Sequence, residues 1–144
     1  MNKGFTLVET LMVLVIMTIL LLIPSILFKS FNPTPSADEV ASHFKEVILL
    51  TQHVAMTHGH HNHLFIDNRT KKFMIRFSFY DLYLEIPFPR EDMVFSFDSL
   101  GNQSIGFTRT GNPRNSGTMR LLIDNQVYYF TVHLGKGRVS YEKY

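Results

Sequence analysis

The feature that most constrains this chain is an uninterrupted apolar stretch close to its N terminus. Between Glu9 and Lys29 lie nineteen uncharged residues, 10–28, and most of them are Leu, Ile, Val or Met. As a helix, residues 5–28 would extend roughly 36 Å, enough to cross the apolar core of a bilayer. Lys3 precedes the stretch, which favours a cytoplasmic N terminus and places the rest of the chain outside the membrane.

Two common explanations of such a stretch account for it incompletely. A cleaved secretory signal has a shorter apolar core and then a small-residue cleavage site, which Pro24-Ser25 and residues 26–28 match poorly. A plain membrane anchor fits the length but leaves Glu9 unexplained, because a charge inside an apolar helix is costly. Pro24 also interrupts the stretch, and either a kink or the end of the helix accommodates it.

The residues before the stretch form a motif that explains both the length of the stretch and the presence of Glu9. Residues 3–9 read Lys-Gly-Phe-Thr-Leu-Val-Glu. This motif resembles the class III leader of type IV pilins and pseudopilins: a short basic leader ending in glycine, then phenylalanine, then glutamate at the fifth mature position. The resemblance implies that a prepilin peptidase cleaves between Gly4 and Phe5 and N-methylates Phe5, leaving the apolar helix on the mature protein.

The same resemblance implies that Glu9 acts in filament assembly. Its carboxylate would pair with the cationic Phe5 amine of a neighbouring subunit, and the opposite charge offsets the cost of an acid in an apolar filament core. The alternative is a glutamate that snorkels to the membrane surface from an ordinary anchor.

Beyond residue 30 the pattern predicts an α+β architecture. The breaker cluster at 32–36 ends the first helix, and Ser36 with Glu39 forms a capping box that starts a second one. Gly59 suits the C-terminal cap of that helix. Its apolar or small side chains recur at helical spacing and should pack on a sheet; they are Ala37, Val40, Ala41, Phe44, Val47, Ile48, Thr51, Val54 and Ala55.

After Gly59 the period becomes two, which is typical of strands. A hairpin is expected around Asn68-Arg69, with Phe73, Ile75, Phe77 and Phe79 on one face of its second strand. The predicted strands cover residues 64–67, 71–79, 82–86, 93–97, 104–108, 119–123, 127–134 and 138–141.

We therefore expect a leader (1–4), a hydrophobic transmembrane and filament-core helix (5–30), an amphipathic helical segment (31–59) and a small, mostly antiparallel β-rich domain (60–144). The outline resembles minor pilins and pseudopilins of the GspH/FimT type, and among these the minor pilins of Gram-positive competence pili. The resemblance implies a membrane precursor that joins other pilins in a surface filament for DNA uptake. A type II secretion pseudopilin is the alternative.

The C-terminal third is a basic region on a mildly acidic chain. Residues 101–144 carry a net charge of +4, and residues 5–100 carry −3. Candidate phosphate contacts are Arg109, Arg114, Arg120, Lys136 and Arg138, and Tyr128, Tyr129 and Tyr141 are candidates for stacking on bases. Pilins of the FimT type use a C-terminal Gly-Arg-rich element to contact DNA, which Gly137-Arg138 resembles in part. The alternative is a solvated basic face or one that contacts an acidic pilin.

The sequence supports neither an enzyme nor a cofactor. Cysteine is absent, which excludes disulfides, iron-sulfur clusters and thiol nucleophiles. There is no nucleophile elbow, zinc-protease motif or phosphate-binding loop. The four histidines in residues 58–63 are either an exposed polar loop or a metal site, and we expect no metal because Asp67 is the only carboxylate nearby in sequence.

Overall fold

The computed structural model describes residues 6–27, 34–101, 104–135 and 139–144, and of residues 23–27 it describes only the backbone. These residues form two helices and then eight strands. The elements are α1 (Leu7–Leu27), α2 (Ala37–His58), β1 (Asn62–Asp67), β2 (Lys72–Arg76), β3 (Leu82–Pro87), β4 (Val94–Phe97), β5 (Ser104–Phe107), β6 (Gly117–Ile123), β7 (Gln126–Val132) and β8 (Val139–Lys143). The chain divides into two compact units, residues 1–34 and 35–144.

The first unit contains α1. This helix continues through Pro24 to Leu27, so a helix end at Pro24 is wrong. Among the described residues, no helix combines the length and the hydropathy needed to cross a membrane. The membrane insertion of residues 5–28 stays a prediction.

The second unit begins with α2, and the predicted boundaries of this helix are confirmed. The Ser36 hydroxyl accepts from the Glu39 amide at 3.3 Å, and the Glu39 carboxylate accepts from the Ser36 amide at 2.7 Å. Gly59 closes the helix in the left-handed conformation, with φ of 65°. All nine positions of the predicted stripe are buried. The stripe therefore faces the core, where α2 packs against β1, β5 and β8.

The eight strands form two four-stranded antiparallel sheets. The first has the order β3-β2-β1-β5 and the second has the order β4-β6-β7-β8. Phe44 of α2 contacts both, because its ring lies 5.2 Å from Phe73 of β2, 4.6 Å from Phe95 of β4 and 4.8 Å from Phe130 of β7. The buried apolar residues of the described chain all lie between residues 37 and 139, so the second unit has its own core.

The strand predictions are correct in number and order but imprecise at their ends. The hairpin around Asn68-Arg69 is confirmed by the antiparallel pairing of β1 with β2. The predicted strand 71–79 is too long, because β2 ends at Arg76 and the chain turns. Phe79 was expected beside Phe73 and Ile75, but it lies beyond the strand and its side chain is 75% exposed.

Candidate functional site

The first turn of α1 is closed by its own acidic residue. The Glu9 Oε2 atom accepts hydrogen bonds from the amide and from the hydroxyl of Thr6, both at 3.0 Å, and the Thr6 hydroxyl accepts from the Glu9 amide at 3.3 Å. This reciprocal arrangement is a capping box. Both of these acceptor bonds use Oε2, so within the described residues Oε1 accepts no hydrogen bond. Gly4 and Phe5, the predicted processing residues, lie outside the described part of the chain.

Glu9 is the single ionisable group among residues 6–22. The hydroxyls of Thr10 and Thr18 donate to carbonyls one turn back, Leu7 at 2.9 Å and Leu14 at 2.7 Å, and so are satisfied within the helix. The apolar side chains of residues 7–22 are 52–77% exposed and surround the helix on all sides. A helix that is apolar all round requires apolar surroundings. The described part of α1 is therefore suited to an apolar environment and carries one acid at its start.

Two of the candidate DNA-contacting arginines lie in the segment between β5 and β6. Arg109 is exposed in a turn that is closed by a 2.8 Å bond from the Gly111 amide to the Thr108 carbonyl. Arg114 is exposed and lies against β1, where its Nη1 is 3.0 Å from Nε2 of His63. Burial, and then the charge of Arg114, lowers the pKa of His63, which favours the neutral form of this imidazole. Within the described residues neither arginine forms an ion pair.

Arg120 has a different environment. It lies on the outer face of β6 in the second sheet, and its Nη2 donates to Oδ1 of Asp98 at 2.5 Å. This carboxylate neutralises the charge of the Arg120 guanidinium. Arg114, by contrast, lies beside the first sheet. The structure thus brings Arg114 to β1 and Arg120 to β6. Lys136 and Arg138 lie outside the described residues.

The three tyrosines proposed for base stacking differ in their exposure. Tyr128 faces the core and is 1% exposed, so the expectation that it stacks on bases is wrong. Tyr141 stacks on Phe130 with an interplanar angle of 24° and is half-buried. Tyr129 lies on the outer face of its sheet, with its ring 6.1 Å from that of Tyr144.

The histidines of residues 58–63 lie against different partners, with His58 and His60 both beside Phe77. His58 packs edge-on against Phe77 and Tyr83, and His63 faces Arg114. Within the described residues no group of three or more His, Asp or Glu side chains is placed to hold a metal ion. These histidines contact aromatic rings and an arginine.

The functional residue that sequence analysis missed is Thr6. The pattern Thr-x-x-Glu directly before an apolar run is the signature of a capping box. The same pattern at Ser36 and Glu39 forms the capping box of α2, so this contact was predictable from the sequence. Thr6 fixes where the Glu9 carboxylate points.

Comparison with known proteins gives three similarities. A family model described as the prokaryotic N-terminal methylation motif matches residues 1–23. Competence protein ComGD of Bacillus subtilis (strain 168) is 29% identical over 143 residues, which cover 99% of this chain and 94% of that protein. The minor pseudopilin EpsH from the type 2 secretion system of Vibrio cholerae has the same fold, with a TM-score of 0.57 at 14% identity over 76% of this chain and 98% of that one. The predicted resemblance and the predicted α+β fold are confirmed.

Proposed function

We propose that this type IV pilin-like protein is a minor pilin of a competence pilus. In this proposal a prepilin peptidase processes the precursor, residues 5–28 hold it in the cell membrane with a cytoplasmic N terminus, and it then joins other pilins in a surface filament needed for DNA uptake. The observation that carries the proposal is the similarity to Competence protein ComGD across 99% of the chain. The methylation motif over residues 1–23 supports the processing step.

The geometry of Glu9 supports its role in assembly. Thr6 holds one carboxylate oxygen, Oε2, and leaves Oε1 without a hydrogen bond among the described residues. Cleavage after Gly4 would create a cationic amine on Phe5, and the free oxygen of a neighbouring Glu9 is a suitable acceptor for it. The pair would remove an uncompensated charge from the apolar filament core. The chain then acts by helix packing and subunit contacts, without catalysing a reaction.

The proposal is tested by deleting the gene in a naturally transformable host. We expect loss of transformation, restored by the wild-type chain and not by a Gly4 variant that blocks cleavage. Transformation at wild-type frequency in the deletion strain would contradict the competence role.

A second candidate is a pseudopilin of a type II secretion system. The observation that favours it is the fold shared with the pseudopilin EpsH. The same deletion strain separates the two functions, because loss of a secretion subunit leaves folded exoproteins inside the cell while transformation continues.

DNA contact through the basic residues is a finer proposal within the competence role. Arg109 and Arg114 support it, because both are exposed and neither forms an ion pair among the described residues. Arg120 is the matched control, since Asp98 already neutralises it. If the proposal is correct, Gln at 109 and 114 weakens salt-dependent DNA binding by residues 35–144, and Gln at 120 changes it little. Ala at Lys136 and Arg138 tests the remaining two candidates, and absence of any salt-dependent binding by the wild type would contradict DNA contact.

A further inference from the structure

The outer face of the first sheet, which points away from the core, contains an open cavity of about 350 Å³. Side chains of β1, β2 and β5 line it, and residues 77–79, which follow β2, complete the lining. The residues that line this cavity indicate which kind of ligand it can hold.

A row of nitrogen-bearing side chains crosses this face. The strand register places Arg76 of β2 opposite His63 of β1, so their side chains are neighbours. Nη1 of Arg114 lies 3.0 Å from Nε2 of His63. Because a guanidinium only donates hydrogen bonds, Nε2 is the acceptor and His63 orients Arg114. Gly106 of β5 leaves room for the imidazole, since a Cβ there would lie 2.9 Å from two ring atoms.

The charge of Arg76 has no partner of opposite sign. Its Nη1 donates to the Phe79 carbonyl and its Nη2 to Sδ of Met74, both at 3.2 Å. Its Nε is buried and has no hydrogen-bond partner within the described residues. All twelve Asp and Glu residues of the chain lie in the described part, and none forms an ion pair with Arg76 or Arg114. A buried donor without an acceptor costs free energy, which a bound anion would recover.

A second row, two residues further along β1, is aromatic and apolar. The register places Phe65 between Met74 of β2 and Ser104 of β5. The guanidinium carbon of Arg76 lies 5.9 Å from the centre of the Phe65 ring, so the two rows adjoin. Phe79, which is 75% exposed, adds a second ring that a ligand can reach.

The lining is rich in hydrogen-bond donors and poor in acceptors. It includes the hydroxyls of Ser78 and Ser104 but no carboxylate and no carboxamide. An anion suits the guanidinium groups, and a flat ring suits the phenyl groups. A polyol phosphate is a poorer match, because its hydroxyls need acceptors. A nucleotide supplies both a phosphate and a base whose face stacks on an aromatic side chain.

We propose that this cavity holds one nucleotide of single-stranded DNA, with its phosphate between Arg76 and Arg114 and its base on the rings of Phe65 and Phe79. The two rows are about 7 Å apart along the strand, a distance that a nucleotide spans from its phosphate to its base. A base inside a duplex is stacked and paired, so an unpaired base is the one that enters. This assignment rests on the proposed function, because DNA uptake brings DNA to this domain.

The test is fluorescence anisotropy of a labelled oligothymidylate with the full-length chain in detergent micelles. The wild type should bind this strand in low salt and should bind an abasic strand of the same length about tenfold more weakly. Arg76→Gln should weaken binding of the oligothymidylate about tenfold and lower its salt dependence by about one ion. Phe65→Leu and Phe79→Leu together should remove the preference for the strand that has bases, because they keep apolar volume but remove both rings.

Arg120→Gln is the matched control. Arg120 also lies on the outer face of a sheet and has a buried, unpartnered Nε, but Asp98 balances its charge, so its loss should change binding little. Resistance of each variant to limited proteolysis shows that it has folded. Equal affinity of the wild type for the two strands would overturn the proposal, as would wild-type binding by folded Arg76→Gln. Equal binding of polyglycerol phosphate, or binding of free thymidylate without the strand, would also overturn it.

The cavity and the proposed function can fail separately. If the deletion strain transforms at wild-type frequency, the competence role fails, and the preference of the chain for an unpaired base is still measured. If transformation is lost on deletion but the wild-type chain does not prefer the oligothymidylate to the abasic strand, the cavity assignment fails and the competence role stands.

Discussion

The hydroxyl of Tyr128 donates a 2.5 Å hydrogen bond to Asp38, and its oxygen lies 2.9 Å from Oε1 of Gln126. The first bond joins β7 to the first turn of α2, and Lys143 of β8 donates to the same carboxylate at 3.3 Å. The start of α2 is thus attached to the second sheet by a polar contact at the border of the apolar core.

Removing this hydroxyl should destabilise the domain. For Tyr128→Phe we expect the free energy of unfolding to fall by about 1–2 kcal/mol, because the Asp38 carboxylate loses its donor on β7. Tyr129→Phe is the matched control, since no hydrogen bond of the Tyr129 hydroxyl is found among the described residues. Urea unfolding of residues 35–144 measures both, and equal stability of the two variants would contradict this account.

The same carboxylate predicts a dependence of stability on pH. The Tyr128 hydroxyl, and then Lys143, lowers the pKa of Asp38 in the folded state. A carboxyl group with a lowered folded pKa contributes stability that is complete above its unfolded pKa of about 4 and is lost as the pH falls through the folded value. We expect Tm to fall below about pH 4 and to fall less for Asp38→Asn. If thermal melts show the same decrease of Tm with falling pH for the wild type and for Asp38→Asn, Asp38 makes no such contribution.

The side chain of Asn68 closes the edge of β4, because its carboxamide accepts from the Phe95 amide at 2.9 Å and donates to the Phe95 carbonyl at 2.8 Å. Asn68→Ala leaves the Phe95 amide and carbonyl without their partner, and we expect the free energy of unfolding to fall by about 1–3 kcal/mol. Asn68→Asp keeps the acceptor for the amide and loses the donor to the carbonyl, so an intermediate loss is expected. Wild-type stability of both variants would show that the carboxamide does not protect this edge.

Glu9 and Glu39 occupy equivalent positions in two capping boxes, which provides a controlled test of assembly. Glu9→Val should still be inserted and cleaved but should enter filaments poorly, because the Phe5 amine loses its acceptor. Glu39→Val removes the same kind of cap from α2 and should leave incorporation intact. Immunoblots of sheared filaments against membrane fractions measure this, and normal incorporation of Glu9→Val would refute the pairing.

Local patterns in the sequence predicted the elements that local interactions determine. The capping box at Ser36, the left-handed Gly59 and the buried stripe of α2 were all predictable, because each depends on residues a few positions apart. The burial of Tyr128 was also predictable, since this residue alternates in step with Phe130 and Val132, which are buried.

The division into two sheets was not predictable in this way. Alternation of apolar and polar residues identifies a strand and its buried face but does not show which strand it pairs with. The sequence therefore did not predict that β4 lies in the second sheet while β3 and β5 lie in the first. The hydrogen bonds of the Asn68 carboxamide to the backbone of β4, and of the Asn115 carboxamide to the backbone of β5, depend on the same long-range arrangement. Of the candidate site, the Thr6 contact with Glu9 was predictable and the pairing of Arg120 with Asp98 was not, because 22 residues separate those partners.

The central claim, that this chain is processed as a type IV pilin, is tested most directly by the mass of the mature N terminus. Protein isolated from the membranes of its host should begin at Phe5 and carry one added methyl group on the terminal nitrogen, with residues 6–28 intact. Mature protein that begins at Met1, or that begins beyond residue 28, would contradict the claim.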